Sequence, residues 1–126
     1  MADKQTIAVV GASTDRAKFG NKCVRAYAHA GWTVYPIHPK ESAIEGLPVH
    51  ASVGDVEDRI DRISLYLPPA LTSKILPSFT SIEGAEVWFN PGAATPDVVA
   101  EARALGLDVR EACSIVDIGL SPSMFR

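Results

Sequence analysis

The chain has 126 residues, of which 47% are hydrophobic and 21% charged, and its formal net charge is −3. One domain of this length buries a core of its own without disulfide staples and leaves little room for a second, substrate-binding domain. The small negative charge excludes a general affinity for nucleic acid or for an anionic membrane surface, so any anionic ligand must be held by a local site.

The first element expected is a buried strand over Thr6-Ile-Ala-Val-Val10, a β-rich apolar run that ends at Gly11. A helix follows over 18–30, with Phe19, Cys23, Ala26, Tyr27 and Ala30 at helical spacing and Gly31 as its stop. Residues 32–37 form the second strand, closed by Pro36 and Pro39. Beyond it, Ile44-Glu-Gly-Leu-Pro48 reads as a turn and residues 49–53 as a short strand. The third clear strand covers 61–67 and stops at Pro68-Pro69. A helix over about 70–83 carries Pro77 inside it, which predicts a kink or break. Residues 85–89 are the fourth strand. Thr95 then suits a helix N-cap and Pro96 the first helical position, and the helix runs to Gly106 before a fifth strand over 107–110. The tail from 111 gives no clear pattern.

Strand and helix alternating in this way predict right-handed crossovers and a Rossmann-type, doubly wound α/β domain: a mainly parallel five-stranded sheet with helices on both faces, spanning residues 1–126. Such sheets bind ligands beyond the carboxyl ends of their strands, where the strand order reverses. The loops that can carry chemistry are therefore 11–18, 37–41, 67–70, 90–95 and 111–114.

The first of these, Gly11-Ala-Ser-Thr-Asp-Arg-Ala-Lys18, joins the first strand to the first helix. Gly11 permits a tight turn and a close approach of backbone to ligand. The helix N-terminus favours phosphate, Ser13 and Thr14 add hydroxyls, and Arg16 and Lys18 add cations. Neither G-x-G-x-x-G nor G-x-x-x-x-G-K-[ST] is present. The second loop reads Pro36-Ile-His-Pro-Lys40-Glu41. Where an NAD-binding fold places an acid for the ribose hydroxyls, this chain has a lysine, which suits a phosphorylated ribose and hence NADP or coenzyme A. Glu41 is the competing acid.

Gly11-Ala-Ser13, Lys18, the stretch from Gly31 to Lys40, Gly46, Asp61, Pro68-Pro69 and Trp88-Phe-Asn-Pro-Gly92 occur in an order that resembles the small CoA-binding domain proteins. These are similar to the N-terminal CoA-binding domain of the succinyl-CoA synthetase α subunit. The resemblance covers about residues 5–115. It implies coenzyme A as the ligand. Gly11, Ala12, Ser13, Thr14 and Lys18 would meet its pyrophosphate, Lys40 its 3′-phosphate and Pro39 its adenosine. Pro68 and Pro69 would line the adenine or pantetheine path, and Asn90, Pro91 and Gly92 the pantetheine arm. His38 stands where the family often has Asn before Pro-Lys, and Asn90-Pro91 where it often has Gln.

Cys23 and Cys113 lie far apart, form no CxxC and are expected as reduced thiols. Cys113 falls at the ligand-binding edge of the expected sheet, where an ionised thiol can form a mixed disulfide with CoA. The histidines have no metal-ligand spacing, and no Ser-His-Asp arrangement or carboxylate pair emerges. The leading expectation is a stand-alone CoA or acyl-CoA binder with no chemistry and no metal of its own. An NADP-binding redox protein and a thiol-based CoA-disulfide protein using Cys113 are the alternatives. A homodimer or an unknown protein partner is compatible with a compact sheet domain. The chain starts with no apolar leader, and its apolar runs of about five residues are far too short to span a bilayer, so cytoplasm is the expected compartment.

Overall fold

The structure is a computed structural model and describes residues 4–126. Its centre is β1 (Thr6–Val10), buried at all five positions as a continuous apolar run requires. Parallel partners flank it on both sides: β2 (Thr33–Ile37), with Ile7 opposite Val34, and β5 (Arg62–Leu65), with Ile7 opposite Arg62. β6 (Glu86–Phe89) and β7 (Asp108–Arg110) extend the sheet to the order β2-β1-β5-β6-β7, every pair parallel. The expected doubly wound, five-stranded α/β domain is present.

Helices cover both faces. On one, α1 (Phe19–His29) and the short α4 (Ser114–Asp117) pack on Ile7, Val9 and Val34, with Tyr27 and Ile115 fully buried between the layers. On the other, α2 (Pro69–Ile75), a 3-10 turn over Leu76–Ser81 and α3 (Pro96–Ala104) enclose Ala8, Val10, Ile63, Leu65, Val87 and Phe89. The expected break at Pro77 is the change from α2 into that 3-10 turn. Thr95 caps α3 by accepting a hydrogen bond from the Val98 amide at 3.4 Å, with Pro96 at the first helical position.

Three local expectations change. Phe19 and Ala30 do not belong to the buried face of α1: Phe19 is 58% exposed, and the face that docks is Gly20, Cys23, Val24 and Tyr27. A substituent on Gly20 would overlap the Gly11 carbonyl, so the helix sits down on the preceding loop at Gly20 and turns Phe19 outward. Residues 49–53 form no strand; only a bridge between Ile37 and His50 is made, and Val53 begins a 3-10 turn. The turn at 44–48 is instead the tip of a small antiparallel ribbon, β3 (Ala43–Ile44) with β4 (Leu47–Pro48). Its corner residues Glu45 and Gly46 both have positive φ, at 50° and 75°, as a tight two-residue hairpin turn demands.

The amino ends of β1 and β5 are tied by Asp61. Its carboxylate accepts hydrogen bonds from the Thr6 amide at 2.8 Å and from Arg59 Nε at 3.0 Å. Partial burial opposes its charge, but the Arg59 guanidinium and the Thr6 groups outweigh this and hold the carboxyl below the usual range. A depressed pKa contributes stability that is complete above the pH where an unfolded aspartate ionises, about 3.9, and is lost as pH falls through the folded value. Asp61→Asn is expected to cost about 1–2 kcal/mol at neutral pH and to flatten the loss of stability on acidification. Urea unfolding between neutral and acid pH reads both effects, and an acid limb as steep as that of the parent chain would refute the assignment.

Candidate functional site

Strand order reverses between β1 and β5, and the chain is tightly drawn together there. Gly11, at φ 85°, leaves β1 so close to β5 that a Cβ on it would stand 3.0 Å from the Tyr66 carbonyl carbon. The Tyr66 amide in turn donates to Val10 O at 2.9 Å. Immediately beyond this point lies a cavity of about 610 Å³, in the size range of small-molecule sites.

Each layer contributes to its wall. The loop after β1 supplies Gly11, Ala12, Ser13 and Lys18, and the end of β2 supplies His38 and Pro39. The end of β5 supplies Tyr66, Leu67 and Pro68, and the α2 layer adds Leu71, Lys74, Ile75 and Ser78. The wall is therefore mainly apolar, with two ammonium groups, Lys18 and Lys74, at hand for an anion. α1 opens with no side-chain cap and no acid in its own first turn, and the nearby Glu45 carboxylate is engaged by Asn21 and Arg16. Ser13 Oγ accepts from the Asp15 amide at 3.0 Å, which leaves the hydroxyl proton to donate elsewhere. Arg16 is held away from the cavity: it pairs with Glu45 of the β3–β4 corner at 3.5 Å.

A second cavity of about 200 Å³ lies beyond β6. Asn90, Pro91, Gly92, Glu111 and Ala112 are part of its lining. The Asn90 side chain is itself buried and engaged with protein: Nδ2 donates to Ser64 Oγ at 2.8 Å and to Leu65 O at 3.0 Å, while Oδ1 accepts from the Ser114 amide at 2.9 Å. It clamps the ends of β5 and β6 to the start of α4.

The sequence-derived residues thus divide. Gly11, Ala12, Ser13, Lys18, Pro39 and Pro68 line the larger cavity, Asn90, Pro91 and Gly92 the smaller, and Thr14, Lys40 and Pro69 line neither. Lys40 is exposed next to Pro39, at the margin of the larger cavity. The sequence reading did not single out Tyr66, Lys74 or Ser78. Residues 71, 74, 75 and 78 follow the i, i+3, i+4, i+7 spacing of one helical face, which was the available signal.

The two thiols differ. Cys23 is fully buried, with Sγ 3.8 Å from both Ser64 Oγ and Ser114 Oγ, and burial pushes its pKa up to about 11. Cys113 is half-buried at the start of α4, directly after the cavity-lining Ala112. Among the described residues no group of three or more His, Cys, Asp or Glu could hold a metal ion, and no helix is long and apolar enough to cross a membrane.

Residues 5–119 match the family described as CoA binding domain. Among curated proteins, the ADP-forming acetate–CoA ligase of Methanocaldococcus jannaschii is 33% identical over 72 residues, which is 57% of this chain and 10% of the ligase. The ADP-forming acetate–CoA ligase I of Archaeoglobus fulgidus is 31% identical over 85 residues, 66% of this chain and 12% of the ligase. The matched stretch is thus a small part of those relatives' length. Among solved structures, a conserved hypothetical protein from Pyrococcus furiosus superposes with a TM-score of 0.81 at 28% identity, covering 90% of this chain and 98% of that one.

Proposed function

Since the chain belongs to the CoA-binding domain family, we propose that it binds coenzyme A itself, at the carboxyl edge of its parallel sheet and without catalysing a reaction there. The observation that carries this reading is the larger cavity at the strand-order reversal, where an apolar wall meets the uncapped start of α1 and the ammonium groups of Lys18 and Lys74. That combination suits a nucleotide: a base against Pro39, Leu71 and Ile75, and a pyrophosphate against Gly11, Ala12 and Ser13 with Thr14 beside them. Lys40, at the margin, is proposed to meet the ribose 3′-phosphate. Pro68 and Pro69 would guide the pantetheine arm from the first cavity towards the second, where Pro91 and Gly92 offer backbone and Asn90 holds the wall in place.

Calorimetric titration with CoA, dephospho-CoA, NADP⁺ and NAD⁺ tests the reading. Saturable CoA binding, weaker without the 3′-phosphate and absent for NADP⁺, is the expected result. Binding of NADP⁺ in place of CoA would replace this reading with the redox alternative. Lys40→Ala is expected to weaken CoA about tenfold or more, the value of one charge-assisted contact to phosphate, and to leave dephospho-CoA nearly unaffected. Equal losses for both ligands would remove Lys40 from the phosphate.

A second reading rests on the position of Cys113 beside the smaller cavity. There its thiolate would attack CoA disulfide, forming a protein–CoA disulfide and releasing CoA as the leaving thiol. Intact mass after incubation with CoA disulfide is expected to show a single adduct, lost in Cys113→Ser, because Cys23 is buried and its thiol is held protonated. No adduct on the folded protein would rule this reading out.

A further inference from the structure

We propose that His38 is a positioning residue for the nucleotide's ribose phosphate: its imidazole sets the backbone turn that carries Lys40. This rests on the CoA reading above and deepens it. β2 ends at Ile37, and the chain is anchored once more by the His38 amide, which donates to His50 O at 3.0 Å. The next residue is Pro39, which has no amide proton. The two following amides, of Lys40 and Glu41, both donate to one atom, His38 Nδ1, each at 3.0 Å.

An imidazole nitrogen that accepts from backbone N–H groups carries no hydrogen, so Nδ1 serves this turn as its acceptor. Nδ1 stands two bonds from Cβ, where an asparagine would hold Oδ1, and the arrangement reproduces the turn that Asn and Asp side chains make with amides further along the chain. His38 also lines the larger cavity, whereas Lys40 does not. The direction in which Lys40 leaves the margin is therefore decided by a ring seated in the cavity wall. Of the other contacts proposed above, only that of Pro39 to the base lies in this turn; Gly11, Ala12, Ser13, Leu71 and Ile75 come from other elements. Loss of the ring should therefore act on the 3′-phosphate more than on the rest of the ligand.

The experiment compares the parent chain, His38→Ala and His38→Asn by titration with CoA and with dephospho-CoA, together with hydrogen exchange at the Lys40 and Glu41 amides. His38→Ala is expected to speed exchange at both amides, to weaken CoA about tenfold, and to weaken dephospho-CoA by less than about threefold. His38→Asn, which restores an acceptor at the same place, is expected to return exchange and ligand preference close to those of the parent. A general structural defect would weaken both ligands alike. An unchanged preference in His38→Ala, or no rescue by His38→Asn, would overturn the inference while leaving CoA binding intact. A parent chain that binds neither ligand would instead overturn the CoA reading, and the inference with it.

Discussion

The contact on which the site depends is the seating of α1 on the loop that precedes it. Gly20 lies against the Gly11 carbonyl so closely that no side chain fits between them, and Gly11, at positive φ, lies less tightly against Tyr66, where a Cβ would stand 3.0 Å from the carbonyl carbon. Two missing side chains thus let β1, its loop, the first helix and the end of β5 converge within a few ångströms. The geometry does more than save space. It brings the start of α1 to the strand-order reversal, turns Phe19 away from the core, and leaves the cavity walled by two loops that could not otherwise come so near. Asn21 reinforces the arrangement one residue later, donating from Nδ2 to Ser13 O at 2.8 Å and to Glu45 at 3.1 Å. The small ribbon is thereby attached to the same loop.

A second layer of order comes from polar groups buried on the α1 face. Ser64 of β5, Asn90 beyond β6 and Ser114 of α4 form a closed set, with Ser64 Oγ and Ser114 Oγ 2.8 Å apart and Cys23 beside them. Buried polar groups that satisfy one another fix a unique arrangement, because any shift leaves one of them unpaired at a cost. Nearer the amino edge, Arg62 lies between the rings of Trp32 and Trp88, 5.0 and 4.6 Å from their centroids, and pairs with Glu86 at 2.9 Å and Asp117 at 2.7 Å. α4 is only four residues long and has little helical stability of its own. These ties, with Ile115 in the core, hold it and the Cys113 segment in place.

The strands and principal helices were legible because their signals are local: an unbroken apolar run for β1, proline and glycine punctuation elsewhere, and Thr95-Pro96 at the start of α3. The loop after β1 was legible for the same reason, since Gly11 to Lys18 is one continuous stretch between two recognisable elements. What escaped the sequence reading was long-range. Phe19 has the spacing of a core residue, yet the Gly20–Gly11 approach, between residues nine apart, rotates it outward. Lys74 of α2 and Ser78 of the 3-10 turn that continues it share a spacing that was readable, but which face would meet the cavity depends on how this segment packs across the sheet. Asn90 does line a cavity, the smaller one beyond β6. Its polar atoms, however, bind Ser64, Leu65 and Ser114, partners that no local pattern reveals. The two-residue strands β3 and β4 are too short for periodicity to register, so only their turn could be seen.

The charge distribution agrees with a specific rather than a general affinity for phosphate. The chain as a whole is acidic, with a net charge of −3, and long polyanions gain nothing from approaching it at random. The cations near the cavity are few and come from separate elements: Lys18 from the loop before α1, Lys74 from α2 and Lys40 from the turn after β2. Arg16, which might have broadened the positive region, is paired with Glu45. Point charges supplied by separate elements suit a ligand with separated phosphate groups and an apolar portion between them. A nucleotide with a pyrophosphate and a ribose phosphate has that form, whereas inorganic phosphate can occupy only one of these positions at a time. Selectivity in the proposed site therefore follows from spacing imposed by the fold, with each cation contributing modestly and the apolar wall determining which phosphorylated molecule can reach all of them.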